Sequence, residues 1–517
     1  MQEILERMLK LQIKLWVDGD RLCYSAPPGV MDEARRAELT QYKPEIIAYL
    51  KKISRRGNVQ PKITSVTRPE KIPLSYAQEL PWQEDQLVPG NTANNMFYAF
   101  RLRGCLDVNA LQWAFQKIVE RHEILRTAFN VAEGQPYQQI AASLPVSITI
   151  LDVSSFTLGE IENLLRDESR RPFDLSCLPL VRCSLLQRAD DEHILLLTIH
   201  HIISDGWSVE VLFGELILLS CMYTAKKADS LPPLPLQYAD FAIQQRNWLK
   251  GDVFESQVGY WKKQLEGAPL CLGFPSARQR PEVHAHRGAR LPFTLPRKLT
   301  DDLKTLSYQE DVTLFMTLLA AFQAALARWS GQPDISIGSP VVNRKQPELE
   351  HLIGFFANTL VLRTDCSGNP TFCEMAQRVR EVCLEAYDHQ DVPFGRLVDE
   401  LKIPENMSYT PLFQVMFNLQ NTQTEMSLPG LIVEPVEVDR NTTHFDLRMS
   451  LQESASGLSG FIKYNVDLFD QETIQLLIAF YKNLLTSWVE NPDLPLMEIC
   501  FPDALQAKVE SARKDRE

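Results

Sequence analysis

The sequence has no C-x-x-C pair among its ten cysteines, which are scattered along the chain. That argues against a redox dithiol or a Cys-rich zinc site, and the thiols read as reduced side chains that serve packing. There is no surplus of positive charge: 53 Lys and Arg stand against 66 Asp and Glu, a formal net charge of −13. Nucleic acid and anionic membrane are therefore disfavoured as main partners. No apolar run approaches the ~20 residues expected of a membrane span. The N-terminus carries Glu3, Glu6 and Arg7 inside its apolar pattern. It does not read as a secretory signal, so a cytoplasmic location is expected. What is present is ordinary globular composition, 45% hydrophobic and 23% charged, over 517 residues. That length predicts two or three domains.

The most informative stretch is residues 193–208, where Ile194 to Ile199 form an almost unbroken apolar run of strand length. It reads as a strand buried on both faces. It ends in His200 and His201 and then a turn signal, Ser204-Asp205-Gly206. Neighbouring strand side chains point to opposite faces, so one histidine can face a cleft while the other packs behind it. Adjacent strand residues rarely reach one ion together, and no Cys, Asp or Glu nearby completes a ligand set, so no metal is expected. Asp205 reads either as a turn residue or as a buried partner for an arginine.

Residues 1–52 look like a small separate unit: an apolar helical face at Ile4, Met8 and Leu11, then a hairpin, then a helix over roughly Met31–Leu50 with a candidate interruption before Pro44. The hairpin signal is the alternation Ile13, Leu15, Val17 against Lys14 and Trp16, followed by Asp18-Gly19 and Leu22-Cys23-Tyr24. The polar and basic residues 53–72 read as a linker. Beyond it come apolar helices at Leu111–Val119, Val209–Leu219 and Val312–Trp329, and a short strand at Ile335–Ile337. Gly338-Ser339-Pro340-Val341-Val342-Asn343-Arg344 reads as a turn and loop.

His200-His201-Ile202-Ile203-Ser204-Asp205-Gly206 resembles the signature of the chloramphenicol acetyltransferase-like acyltransferases, and within these the condensation domains of nonribosomal peptide synthetases. Further stretches resemble that family's motifs in order: Ser75-Tyr76-Ala77-Gln78, Arg121 to Phe129, Tyr238 to Ala242, Ile353 to Thr359, His389 to Phe394 and Ser408 to Phe413. The first of these departs from the family pattern, with Leu80 and Pro81 where Arg and Leu are usual. Residues 1–52 resemble the docking domain of the tubulysin-synthetase type.

The resemblance implies an α/β (α+β) fold: a V-shaped pair of acetyltransferase-like lobes preceded by a small α/β docking domain. The expected divisions are docking domain 1–55, linker 56–72, lobes 73–245 and 246–502, and the start of a further linker at 503–517. The implied activity is amide formation between a donor acyl or peptidyl thioester and the amine of a carrier-bound aminoacyl thioester. Both substrates would ride on phosphopantetheine arms of carrier proteins, and no cofactor would be bound by the chain itself. The implied site residues are His201 as base or positioning group, His200 behind it, and Gly206 offering a backbone N–H to the oxyanion. Asp205 would be paired with Arg344, with Asn358 and Arg126 as further structural support. Lys14, Trp16 and Arg21 would meet the C-terminal tail of an upstream synthetase. An adenylation domain is the expected downstream partner. Two other readings stay open: a starter domain that takes a fatty acyl group from coenzyme A or a carrier, and a non-catalytic recruiting domain of the same fold.

Overall fold

A buried strand must hide both faces, and in the computed structural model the strand that carries the histidines does so between two cores. The chain divides into two units, Met1–Lys62 and Ile63–Glu517. The structure describes residues 14–18, 21–25, 35, 39, 40, 42, 43, 46, 61–227, 231–274, 278–404, 406, 408–420, 428, 430–438, 441–454 and 456–507.

In the first unit, β1 (Lys14–Asp18) and β2 (Arg21–Ser25) form an antiparallel hairpin. Asp18 pairs with Arg21, so the connection is residues 19 and 20. Asp18 therefore closes the first strand instead of opening the turn. Within the helix expected at 31–50, Leu39 and Ile46 are helical and buried. Tyr42, between them, is a turn residue, so the helix is interrupted before Pro44. The helix expected around Ile4–Leu11 and the side chains of Lys14, Trp16 and Arg21 lie outside the described residues.

The second unit is mixed α/β. Its first half contains β3 (Ile72–Pro73), β4 (Asn95–Gly104), β5 (Thr127–Ala132), β6 (Gln135–Ile140), β7 (Thr149–Asp152), β8 (Val181–Ala189) and β9 (Glu192–His200). The second half contains β10 (Gly288–Pro296), β11 (Asp334–Val341), β12 (Asn358–Asp365), β13 (Val415–Gln420), β14 (Leu431–Pro435), β15 (Leu447–Ser454) and β16 (Gly457–Asn465). One sheet runs β14-β4-β9-β8-β7 and a larger one runs β10-β16-β15-β13-β11-β12. A small third sheet, β3-β6-β5, completes the first half.

In β9 the period-2 alternation sends Leu195, Leu197 and Ile199 into one core and Ile194 and Leu196 into another. The first core is covered by the helices Val108–Arg121 and Gly206–Thr224, and the second by Leu158–Arg170. The apolar run is continuous because each face has its own helical cover.

Several expectations need correction. The helix Gly206–Thr224 is long and apolar enough to cross a membrane by length and composition, although no such run was expected. It is a core helix, with Val209, Leu212, Phe213, Leu216 and Leu219 buried in the protein. Its Glu215 accepts from Arg121 Nε at 2.9 Å and meets His122 Nε2 at 2.9 Å, which gives the Arg121-His122 pair a packing role. Second, the stretch 56–72 is not linker throughout. Ile63 is buried, and its N–H donates to Gln346 Oε1 at 2.9 Å. Arg68 bridges Glu123 (2.5 Å) and Asp240 (3.1 Å). Third, the halves interleave: β14 leaves the second half to pair antiparallel with β4 on the edge of the first-half sheet.

Gly338–Val341 is also strand, not turn. It pairs register by register with β12, from Asp334↔Asp365 to Val341↔Asn358. Glycine and proline signal turns locally, but here each has a tertiary reason. At Gly338 an added methyl carbon would lie 2.2 Å from Phe413 Cε2, so the strand and that ring require the missing side chain. Gly338→Ala should therefore overpack the core, at a cost of about 1–3 kcal/mol. A thermal melt checks this, and an unchanged midpoint would show that Phe413 moves aside freely.

Candidate active site

After β9 ends at His200, a 3-10 turn over His201–Ile203 leads to the helix Gly206–Thr224, and the residue just before that helix caps it. Asp205 Oδ1 accepts the Ser208 N–H at 2.9 Å, an ordinary N-cap bond. The same carboxylate does much more. Arg344 Nη1 donates to Oδ1 at 3.1 Å and to Oδ2 at 2.9 Å. The N–H groups of Phe356 and Ala357 donate to Oδ2 at 3.0 and 3.2 Å. Both side chains of the ion pair are almost fully buried, at 1% and 2% exposure. Burial pushes the Asp205 carboxyl up, but Arg344 and Ser208 outweigh it and hold it below the usual carboxylate range. With its oxygens saturated, Asp205 holds structure and has little capacity left for a substrate.

Arg344 is equally occupied. Its Nη2 donates to Ser208 Oγ at 2.7 Å and to the Leu352 carbonyl at 3.2 Å. Its Nε reaches the Leu349 carbonyl at 3.2 Å, and its guanidinium lies 4.1 Å over the Phe356 ring. Ser208 was not expected from the sequence. Its Oγ lies 2.7 Å from both Asp205 Oδ1 and the Gly354 carbonyl, with one proton to give, and accepts the Gly354 N–H at 3.0 Å. The signal for it was its position three residues after an Asp cap. Tyr238 closes the same contact: its hydroxyl donates to the Phe355 carbonyl at 2.6 Å and meets Ser75 Oγ at 2.7 Å. The ring stacks so close to Gly354 that an added methyl carbon would lie 1.9 Å from Tyr238 Cδ2. Motifs far apart in sequence thus meet in one buried cluster.

The two histidines divide, but not by strand alternation: β9 ends at His200, and His201 opens a 3-10 turn over His201–Ile203. His200 is buried, with its ring edge-on to Phe173. Its Nδ1 accepts the Ile202 N–H at 3.2 Å, and burial, then the neighbouring His201, push its pKa down to about 3. His200 is therefore neutral at pH 7, with its proton on Nε2. His201 turns the other way, its ring 4.5 Å from that of Phe355. Its backbone is pinned at both ends: the N–H donates to the Asn94 carbonyl at 2.8 Å, and the carbonyl accepts the Ser204 N–H at 3.2 Å. The ring lies close to the backbone of His201 and of Ser204, and hydrogen bonding there favours its protonated form. Burial lowers the His201 pKa, with Asp205 pulling the other way and the Arg448 guanidinium adding to the fall. A neutral imidazole results, able to accept a proton.

Gly206, the first residue of the helix, is exposed, and nothing lies within 4 Å of where its side chain would be. A first-turn N–H has no partner inside the helix. Asn358 stands apart from these groups in role. Its Nδ2 donates to the Gln390 and Val392 carbonyls at 2.9 and 2.8 Å, and its Oδ1 accepts the Phe394 N–H at 3.0 Å. It pins the His389–Phe394 loop. Arg126 also falls outside the Asp205 cluster: its guanidinium binds the Ala141 carbonyl and lies 3.9 Å from Glu123. Among the described residues no group of three His, Cys, Asp or Glu is arranged to hold a metal ion.

The condensation-domain family model matches residues 69–508, the span that carries all of these groups. The chain belongs to the condensation-domain family. Residues 1–52 match the TubC N-terminal docking domain. The chain is 44% identical over 444 residues to one of the linear gramicidin synthase proteins of Brevibacillus parabrevis, covering 84% of this chain but only 6% of that synthase. Among solved structures, the X-domain in complex with OxyB from teicoplanin biosynthesis is 29% identical with a TM-score of 0.78, covering 86% of this chain and 99% of that one. The first condensation domain of the calcium-dependent antibiotic synthetase shares the fold at 18% identity, with a TM-score of 0.71 over 84% of this chain and 100% of that one. Condensation domains of nonribosomal peptide synthetases are amide-forming acyltransferases, and this condensation domain is of that kind.

The Asp205–Arg344 pair generates a test of its own. Removing either partner strands a buried charge, at about 3–5 kcal/mol. Asp205→Ala and Arg344→Ala should each lower the denaturation midpoint, and the double variant should lose well under the sum. Additive losses would mean that the pair is not energetically coupled.

Proposed function

We propose that this condensation domain is of the elongating type. It joins a donor acyl or peptidyl thioester, delivered by an upstream synthetase, to the amine of an aminoacyl thioester. Donor and acceptor both ride on carrier-protein phosphopantetheine, in the cytoplasm. An adenylation domain downstream would load the acceptor carrier. The observation that carries this reading is the division of labour after β9. Asp205 is fully engaged in structure, whereas burial keeps the imidazole of His201, four residues before it, neutral.

The chemistry asks for no covalent intermediate, because the thioester is already activated. The amine nitrogen attacks the thioester carbonyl, the N–C bond forms, the C–S bond breaks, and the departing thiolate takes up a proton. His201 accepts or steers the proton that leaves nitrogen. A lowered pKa makes it a weak base, so positioning of the amine is a large part of its work. The Gly206 N–H is suited to the developing oxyanion, since it opens a helix and carries no side chain to block approach. Residues 1–52 raise the effective donor concentration by holding the upstream partner's tail along the hairpin edge.

Two measurements test the reading. Amide formation from carrier-borne donor and acceptor, followed by mass, should fall roughly 10²–10⁴-fold in His201→Ala if His201 acts as a full base. Turnover near wild type, where chemistry limits, would remove His201 from the mechanism. Deleting residues 1–55 should leave transfer from a freely supplied carrier-bound donor intact and impair transfer from a donor attached to the natural upstream partner. Full-rate partner-delivered transfer at low micromolar protein would sink the docking role. If acyl-coenzyme A also served as donor, the starter reading would replace this one.

A further inference from the structure

The second-half sheet has one apolar and one polar face. On β15, Leu447, Met449 and Leu451 enter the core, so Arg448, Ser450 and Gln452 face the other way. On β16, Leu458, Ile462 and Tyr464 enter the core, and Ser459 and Phe461 share the polar face. Register places Ser450 opposite Phe461 on one side and Asn418 on the other, and Gln452 beside Ser459 and Gln420. Arg448, on this face, is one of the charges that bear on His201. A groove of about 710 Å³ borders this face, lined by polar groups that include Ser450, Gln452 and Gln420 and by apolar ones that include Phe293, Phe461 and Ile478. Arg290 lies 4.2 Å over the Phe461 ring and is ion-paired with Glu437. Glu437 follows β14, so the pair joins the two interleaved halves across the groove.

One atom in this groove is out of balance. Ser450 is 4% exposed, yet its Oγ meets no hydrogen-bond partner among the described residues. A buried hydroxyl without a partner is costly, and at a substrate groove the economical explanation is a group that arrives with the ligand.

We propose that Ser450 is a substrate-binding residue, its hydroxyl exchanging a hydrogen bond with a secondary amide of a thioester-borne chain that runs along this polar face away from His201. The inference rests on the amide-forming reading above. A secondary amide offers both an N–H and a C=O, and Ser Oγ can accept from one or donate to the other. Gln452 and Gln420 extend the same chemistry outward. Two sources carry such an amide, a peptidyl substrate and the pantetheine arm.

The test compares wild type, Ser450→Ala and Ser450→Thr with two donors on the same carrier, a dipeptidyl and an octanoyl thioester, and a common aminoacyl-carrier acceptor. Ser450→Ala should raise KM for the affected donor about 3–10-fold with kcat kept, the loss of one binding hydrogen bond. Ser450→Thr, which keeps the hydroxyl, should stay near wild type. A loss confined to the dipeptidyl donor assigns the amide to the peptidyl chain, and an equal loss with both donors assigns it to the arm. Unchanged kinetics with both donors overturns the proposal. The melting temperature of Ser450→Ala should hold or rise, and a clear fall would reveal a structural partner and overturn it as well. A wild-type protein that forms no amide from either donor would overturn the amide-forming reading itself, and this inference with it.

Discussion

The buried pair of Asp205 and Arg344 is the contact on which the rest of this structure depends. A carboxylate removed from water must have every lone pair answered, and here the answers come from both halves of the unit. Ser208 answers from the same helix, Arg344 from the loop after β11, and the Phe356 and Ala357 amides from the approach to β12. One side chain thereby fixes the start of the helix Gly206–Thr224 against the second half. His201 and Gly206, on either side of that point, inherit the precision. A group so saturated has little left for chemistry, so the acid of this site is best understood as its anchor.

The histidine pair shows how one strand end serves two purposes. His200 points into the first-half core, where burial keeps it neutral and its Nδ1 ties down the turn that follows. His201 faces the opposite way, against Phe355 and near Arg448. The change of backbone separates them: the strand ends at His200, and His201 starts the 3-10 turn that leads to the helix. The surrounding motifs act on the same few atoms. Gly354 lets the Tyr238 ring through, and Tyr238 in turn binds Ser75 and the Phe355 carbonyl.

Interleaving makes the two halves of the second unit mutually dependent. The strand β14 belongs to the later part of the chain but completes the sheet that carries β9. The return from β14 brings Glu437 to Arg290, and with it one flank of the groove on the polar face. That arrangement ties substrate access to the same crossover that joins the sheets.

Much of this was legible from the chain alone. Continuous apolarity from Ile194 to Ile199 gives away a strand covered on both sides, but strand alternation does not account for the histidine pair, because His201 already lies in the 3-10 turn that follows. The resemblance carried by Asp205-Gly206 and Arg344 led to the ion pair, because such motifs are short and keep their spacing. Local signals misled where tertiary contacts overrode them. Gly338 and Pro340 read as a turn, yet they continue β11, since Phe413 fills the space a side chain would need. Arg68 looked like linker and is clamped by Glu123 and Asp240. The membership of β14 in the first-half sheet, the saturation of Asp205 by backbone amides and the unpartnered hydroxyl of Ser450 leave no local pattern at all. They depend on which distant segments meet, and periodicity, propensity and turn chemistry report only on neighbours along the chain.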